Sequence, residues 1–248
     1  METAHEQTLA HLHLLASFPG FWEVRALRRE TGSRMTPRGS CWIIATPTAD
    51  GLLYERLEQA LSWADGHDRA GTELFIGVNP RSSEGKTKAS VPTVTCCFAD
   101  LDLAGGNIDD ALTVLTSGST PPPSFVVNSG YGLHAVWLLR EPSRDKVRWR
   151  VIQHALTRTF AELGADPACA PDEARVLRLV PYPNRKLSSD GIPTSLVLEG
   201  SERYDLPHLL NAFTPISSTP RSTVRPPPLP EADPEGDVAE SLPAAFCR

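Results

Sequence analysis

Apolar and polar positions follow one another along this chain in a pattern that predicts a mixed set of helices and strands. Apolar residues recur at helical spacing over 9–18, and a compact apolar block at 42–45 reads as a strand. Over 52–64, Leu53, Leu57, Ala60, Leu61 and Ala64 fall on one side of a helix, and 74–78 reads as a further strand. The stretch 91–103 is apolar and β-branched, 108–115 has the length of a short helix, and 124–139 holds two apolar runs joined by an Asn-Ser-Gly-Tyr-Gly turn, the signature of a hairpin. A longer helix follows, with Ser143 as its cap, Val147, Val151, Ala155, Leu156, Phe160 and Leu163 as its apolar stripe, and Gly164 as its stop. Strand 196–198 and helix 206–213 close the patterned part. From about residue 215 the period is lost: Pro, Ser and acidic residues dominate, with a run at Pro226, Pro227 and Pro228. A hairpin set among unevenly ordered strands and helices predicts an α+β fold rather than a doubly wound parallel sheet. The expected organisation is a folded domain over 1–214 and a disordered, Pro-rich acidic tail or linker over 215–248.

Composition narrows the setting. At 248 residues and 40% hydrophobic content the chain can bury a large core. No apolar run approaches the roughly 20 residues of a membrane span, and the first residues lack the basic-then-apolar order of a signal peptide, so a cytoplasmic protein with no membrane partner is expected. Five cysteines (Cys41, Cys96, Cys97, Cys169 and Cys247), with no C-x-x-C pair, point to reduced and mostly buried thiols rather than a disulfide framework or a cysteine-based zinc site. A net charge of −6 argues against a basic coat for nucleic acid. The cations are nevertheless clustered, at Arg144, Lys146, Arg148 and Arg150 and again at Arg175, Arg178, Arg185 and Lys186, which allows either a basic groove or a solvated helix face.

Three stretches carry candidate chemistry. Asp100 and Asp102 stand two apart near a strand end, so the pleat sends both carboxylates to one face. Two adjacent acids repel unless a cation lies between them, and one or two Mg²⁺ or Mn²⁺ ions are the usual solution. The plainer alternative is a strand end in solvent with Asp102 capping a turn. Next, Ser129, Gly130, Tyr131 and Gly132 lead into His134, a turn whose backbone N–H groups, hydroxyl and imidazole could hold phosphate, or an ordinary tight turn before a histidine satisfied within the sheet. Third, an acid at Asp166 or Asp172 precedes Arg175, Arg178, Asn184 and Lys186, offering one more metal ligand and spaced cations for a triphosphate.

Taken in order, these three elements resemble the motifs of the archaeo-eukaryotic primase superfamily, and more closely its RepB-like and PrimPol branches. There a strand ends in D-x-D/E, a small-residue turn ends in S…H, and a hydrophobic-Asp element continues into an R-x-x-R-L-P-G-T-x-N-x-K type of run. The resemblance covers about 75–186, and this chain departs from it where Leu-Val-Pro-Tyr-Pro-Asn replaces the P-G-T turn. It implies an RRM-like catalytic sheet with a small N-terminal αβ module. It also implies a DNA primase-polymerase that uses two Mg²⁺ or Mn²⁺ ions held by Asp100, Asp102 and a third acid, Asp166 by its position after the apolar helix end. Ser129, His134, Arg175, Arg178 and Lys186 would hold the NTP or dNTP, with Arg81 a weaker candidate. A single-stranded DNA template, and a helicase acting in trans, are the partners it implies.

Other function classes leave traces. Gly85, Lys86 and Thr87 look like the end of a phosphate-binding P-loop, but Pro80 stands where its first glycine belongs and a strand is expected to follow. His11 and His13 flank Leu12 as in a rolling-circle endonuclease, which needs that pair on a central strand and a tyrosine nucleophile. A catalytically silent, nucleic-acid-binding relative is the third class, opposed by the presence of all three acids.

Overall fold

The computed structural model describes residues 3–30, 34–103 and 105–214; the expected tail over 215–248 lies outside the described residues. The chain begins with helix α1 (Ala4–Leu15), followed by strands β1 (Gly20–Arg29), β2 (Met35–Thr48) and β3 (Gly51–Glu55), helix α2 (Leu57–Arg69) and strand β4 (Glu73–Gly77). Strand β5 (Val94–Asp102), helix α3 (Ile108–Thr116) and the hairpin β6 (Phe125–Asn128) and β7 (Gly132–Ser143) come next. Helix α4 (Lys146–Thr159), short strands β8 (Val176–Arg178) and β9 (Ser195–Glu199) and helix α5 (Leu206–Phe213) complete the order. The fold is α+β, as the pattern predicts. No helix among the described residues is long and apolar enough to cross a membrane.

Two antiparallel sheets form, one in the order β3-β2-β1-β4-β8 and the other β5-β7-β6-β9. The first is larger than the small N-terminal module expected, and its last strand, β8, arrives only after most of the second sheet has been built. Strand β1 escapes the apolar-block reading, yet Trp22, Val24 and Ala26 alternate inward along it and are all buried. The expected helix over 52–64 is divided. Residues Gly51–Glu55 pair with β2 as an edge strand that leaves Leu53 exposed, Arg56 turns into a left-handed conformation at φ 61°, and only then does α2 begin, burying Ala60, Leu61 and Ala64.

Helix α4 also differs from its expected stripe. Its cap is Asp145, whose carboxylate accepts the Arg148 N–H at 3.0 Å; Ser143 instead accepts the Asp145 N–H. Ala155, Leu156 and Phe160 are buried as expected, but the first half of the stripe is turned out, with Val147 73% and Val151 43% exposed, and Trp149, Ile152 and Gln153 take the inward places. The indole and the amide set this rotation, because each satisfies backbone that no strand covers. Strand β5 lies at the edge of its sheet: Trp149 Nε1 donates to the Cys96 carbonyl at 2.7 Å, and Gln153 both accepts from the Phe98 N–H at 2.9 Å and donates to its carbonyl at 3.1 Å.

Candidate active site

The edge of β5 is closed further along by backbone, and that closure builds the site. The Asp102 N–H donates to the Gly164 carbonyl at 3.0 Å and the Asp166 N–H to the Asp100 carbonyl at 2.8 Å, so the chain leaving α4 runs beside the strand end and sets Asp166 next to Asp100. Gly164 is required here: its φ is +76°, and a Cβ would lie 2.1 Å from the Asp102 carbonyl oxygen. On the other side β7 pairs Asp100 with His134 and Asp102 with Gly132, where a Cβ would meet the Leu101 carbonyl at 1.9 Å. The turn glycines therefore serve close backbone packing. The Gly130 N–H is already taken by the Asn128 side chain at 2.9 Å, so the turn is not a free nest of donors for an anion.

Asp100, Asp102, Ser129, His134, Asp166, Arg175, Arg178 and Lys186 all line one cleft of about 240 Å³, where the ends of the two sheets meet. Arg175 lies 3.4 Å from Asp100 and 3.5 Å from Asp166, spanning the two carboxylates. Lys186 Nζ lies 2.9 Å from the Asp102 carboxylate and 6.0 Å from the centre of the Tyr131 ring. His134 Nε2 approaches Asp100 at 3.5 Å. Burial depresses the imidazole pKa to about 4, with Asp100 opposing and Arg178 and Arg175 reinforcing the shift, so His134 is neutral at pH 7. Asp100, Asp166 and the thiol of Cys169 place their donor atoms within 4.8 Å of one another, and Cys169 Sγ is 3.1 Å from Asp166 Oδ2. Convergent carboxylates fit a divalent cation, which would displace the arginine that now bridges them. Burial, reinforced by the carboxylates, pushes the Cys169 thiol pKa up.

Two expected residues are elsewhere. Asp172 does not line the cleft; its carboxylate accepts the Ala174 N–H at 3.1 Å and closes a turn. Arg81 is not a surface residue and does not line the cleft: its side chain is buried, bonded to the Asn79 carbonyl at 2.7 Å and the Ala174 carbonyl at 2.9 Å, with Glu23 at 3.8 Å. The basic run on α4 also stays outside the cleft, with Arg148 paired to Asp145 and Arg150 to the buried Glu173. Gly85, Lys86 and Thr87 lead into a single 3-10 turn (Lys88–Ser90) and then β5, with no helix for a P-loop. His11 and His13 sit on α1, the first buried and the second exposed, so they cannot share an ion as the endonuclease reading needs.

Sequence reasoning missed the support beneath the cleft. Glu73, buried at the start of β4, pairs with both Arg178 and Arg29, and Arg178 also lies 4.4 Å over the Phe75 ring. Arg29 thereby reaches the cleft from the far sheet. An acid opening an otherwise apolar strand was the available signal for Glu73. Asn184 ties the parts together: it donates to the Ser129 carbonyl at 2.7 Å and accepts from Arg178 at 2.9 Å and from the Lys186 N–H at 3.1 Å.

Comparison with known proteins agrees with this architecture. The chain resembles the archaeo-eukaryotic primase domain of the cyanophage S-2L primase-polymerase, with a TM-score of 0.61 and 22% identity over 86% of this chain and all of that one. It also resembles primase RepB′, with a TM-score of 0.55 and 16% identity over 85% of this chain and 62% of that chain, and the RepB′ catalytic domain solved in complex with initiator DNA. In sequence it is 26% identical over 155 residues to a replication protein from Clostridium perfringens, 60% of this chain but only 37% of the relative's length. No protein-family profile matches the chain. The fold is therefore that of archaeo-eukaryotic primase catalytic domains.

Proposed function

We propose that this chain is the catalytic domain of a DNA primase-polymerase, which transfers nucleotides from NTP or dNTP onto a strand copied from single-stranded DNA. The observation that carries the reading is the meeting of three acids, Asp100, Asp102 and Asp166, with Arg29, Arg175, Arg178 and Lys186 in one cleft on a primase fold. Acids alone would fit many metal enzymes, and cations alone would fit any anion. Their alternation around a single cleft fits a triphosphate that must be held while it reacts.

When bound, Mg²⁺ or Mn²⁺ on the acids would supply an activated attacking hydroxyl and charge neutralisation at the leaving pyrophosphate. The chain's own groups do the placing. Arg178 is fixed by Glu73, Phe75 and Asn184, and a cation so restrained loses little freedom on meeting a phosphate. Lys186 and Arg175, paired with the acids in the structure, are the cations that exchange those partners for phosphate oxygens. Neutral His134 offers a hydrogen bond without adding charge, and Ser129 lies beside it on the cleft wall. The complex of RepB′ with initiator DNA supports a DNA template for this chain as well, and a helicase in trans remains part of the proposal by resemblance.

The deciding experiment is synthesis on a single-stranded template without primer, with NTP and dNTP supplied separately and Mg²⁺ or Mn²⁺ present. Labelled products that require the template are expected. A folded protein that binds template but incorporates no nucleotide, with or without a primer, would establish the silent relative instead.

A further inference from the structure

We infer that Cys169 is a metal ligand, completing a donor set with Asp100 and Asp166 and turning this position toward thiophilic divalent cations such as Co²⁺ or Cd²⁺ over Mg²⁺. The inference rests on the reading of Asp100 and Asp166 as metal ligands but not on polymerase activity.

The geometry begins with a single turn of 3-10 helix, Pro167–Cys169, whose first residue is preceded by Asp166 as its cap. Residues three apart on such a turn stand one above the other, so Asp166 and Cys169 project to the same side. Asp166 Oδ1 is occupied by the Ala168 N–H at 2.8 Å, while Oδ2 lies 3.1 Å from Cys169 Sγ and 3.5 Å from the Arg175 guanidinium, the cation whose place a metal ion would take. The same sulfur is 3.5 Å from Asp100 Oδ2. These three donors lie within 4.8 Å of one another, whereas Asp102, the acid that strand alternation pairs with Asp100, is turned to Lys186 and stands outside the group. A second observation points at the same spot. The His134 imidazole, 5% exposed, turns Nε2 toward Asp100 at 3.5 Å, so a buried nitrogen donor looks into the group from the neighbouring strand.

Two carboxylates alone make a hard site suited to Mg²⁺. Adding a thiolate sulfur, and an imidazole close by, shifts preference toward softer first-row ions and Cd²⁺. On binding, the metal replaces the thiol proton, which passes to the buffer; the sulfur keeps its electron pair and shares it with the ion, so nothing is oxidised or reduced.

The test is anaerobic titration of the full chain with Co²⁺, read by the near-ultraviolet charge-transfer band that a cobalt–sulfur bond produces. The wild type should show the band. Cys169→Ser should lose it and bind Co²⁺ and Cd²⁺ on the order of 10-fold or more weakly, with Mg²⁺ affinity nearly unchanged. Cys169→Asp, which keeps a donor but removes the sulfur, should bind Co²⁺ without the band, and thermal melting of each variant shows whether it folds. A wild type that binds Co²⁺ without the band overturns the inference. So does an undiminished band in Cys169→Ser, which assigns it to another cysteine. A cobalt–sulfur band in a protein that incorporates no nucleotide overturns the primase-polymerase reading and leaves this ligand in place.

Discussion

The side-chain amide of Asn184 donates to the Ser129 carbonyl at 2.7 Å while its oxygen accepts from Arg178 at 2.9 Å, so one buried residue joins the glycine turn to the arginine on β8. Replacing it with Ala leaves a buried carbonyl and a guanidinium N–H unpartnered. Asn184→Ala should cost about 1–3 kcal/mol of stability. It should raise KM for nucleotide more than it lowers kcat. Denaturant unfolding and steady-state kinetics check the two effects; unchanged KM would remove Asn184 from the nucleotide's support.

Asp166 and Asp172 differ in place and should differ in consequence. Asp166→Asn should weaken the metal dependence of incorporation by more than the roughly 10- to 100-fold seen when a ligand's supporting partner is lost. Asp172→Asn, which alters a turn outside the cleft, should leave the metal curve in place. Mn²⁺ titrations of both variants at saturating nucleotide decide the matter, and a shift confined to Asp172→Asn would move the site.

Glu73 is buried and carries two arginines. Removing one partner of such a group strands the remaining charge, so Glu73→Ala should destabilise the fold by about 3–5 kcal/mol. Glu73→Gln keeps the volume and some hydrogen bonding and should lose less stability, yet still weaken nucleotide binding because Arg178 is no longer fixed. Calorimetric melting together with nucleotide titration separates the two contributions.

His11 supplies a pH dependence of its own, beside that of the cleft. Its pKa is lowered to about 3 by burial, with His134 adding to the shift, and its Nδ1 accepts the Val180 N–H at 3.4 Å. The folded state stays neutral while the unfolded chain takes up a proton below about pH 6.5, so stability is full above that pH and falls as pH drops toward 3. The slope from this residue should approach about 1.4 kcal/mol per pH unit. Urea unfolding between pH 7 and pH 5 should show a smaller pH dependence in His11→Asn than in the wild type.

The chain beyond residue 214 should be dispensable for chemistry, since its composition offers neither an apolar stripe nor a ligand set. Deleting 215–248 should leave incorporation and Tm nearly unchanged. A marked fall in either shows that this stretch acts on the folded domain.

Much of the site could be read from sequence because its chemistry is local. Asp100 and Asp102 share a strand, and Ser129 and His134 share a hairpin, so pleat and turn rules place them without knowledge of the rest. Asp166 is legible only through its place in a motif, because the structure sets it beside Asp100 by pairing loop backbone with a strand edge, which leaves no mark in composition. Glu73 and Arg29 escape sequence reasoning for a related reason: they belong to the first sheet, Arg29 lining the cleft and Glu73 buried beneath it, and nothing local to them announces Arg178 as a neighbour. The first half of α4 departs from the expected stripe where an amide and an indole are needed on the strand edge, because a hydrophobic count assigns a buried Gln153 to the wrong face.

The late return of β8 to the first sheet has a consequence for how the molecule can be made and divided. No single cut through the described chain yields two fragments that each hold a whole sheet: ending before Val176 bares the side of β4 and removes Arg178, while starting at Val94 discards the strands that β8 must join. During synthesis the cleft therefore cannot assemble until the ribosome has released residues up to Lys186, whatever order the earlier strands adopt. Split reporters, circular permutation and inserted domains would have to spare this crossing, leaving hairpin tips such as the connection between β2 and β3 as the places where the chain can be opened.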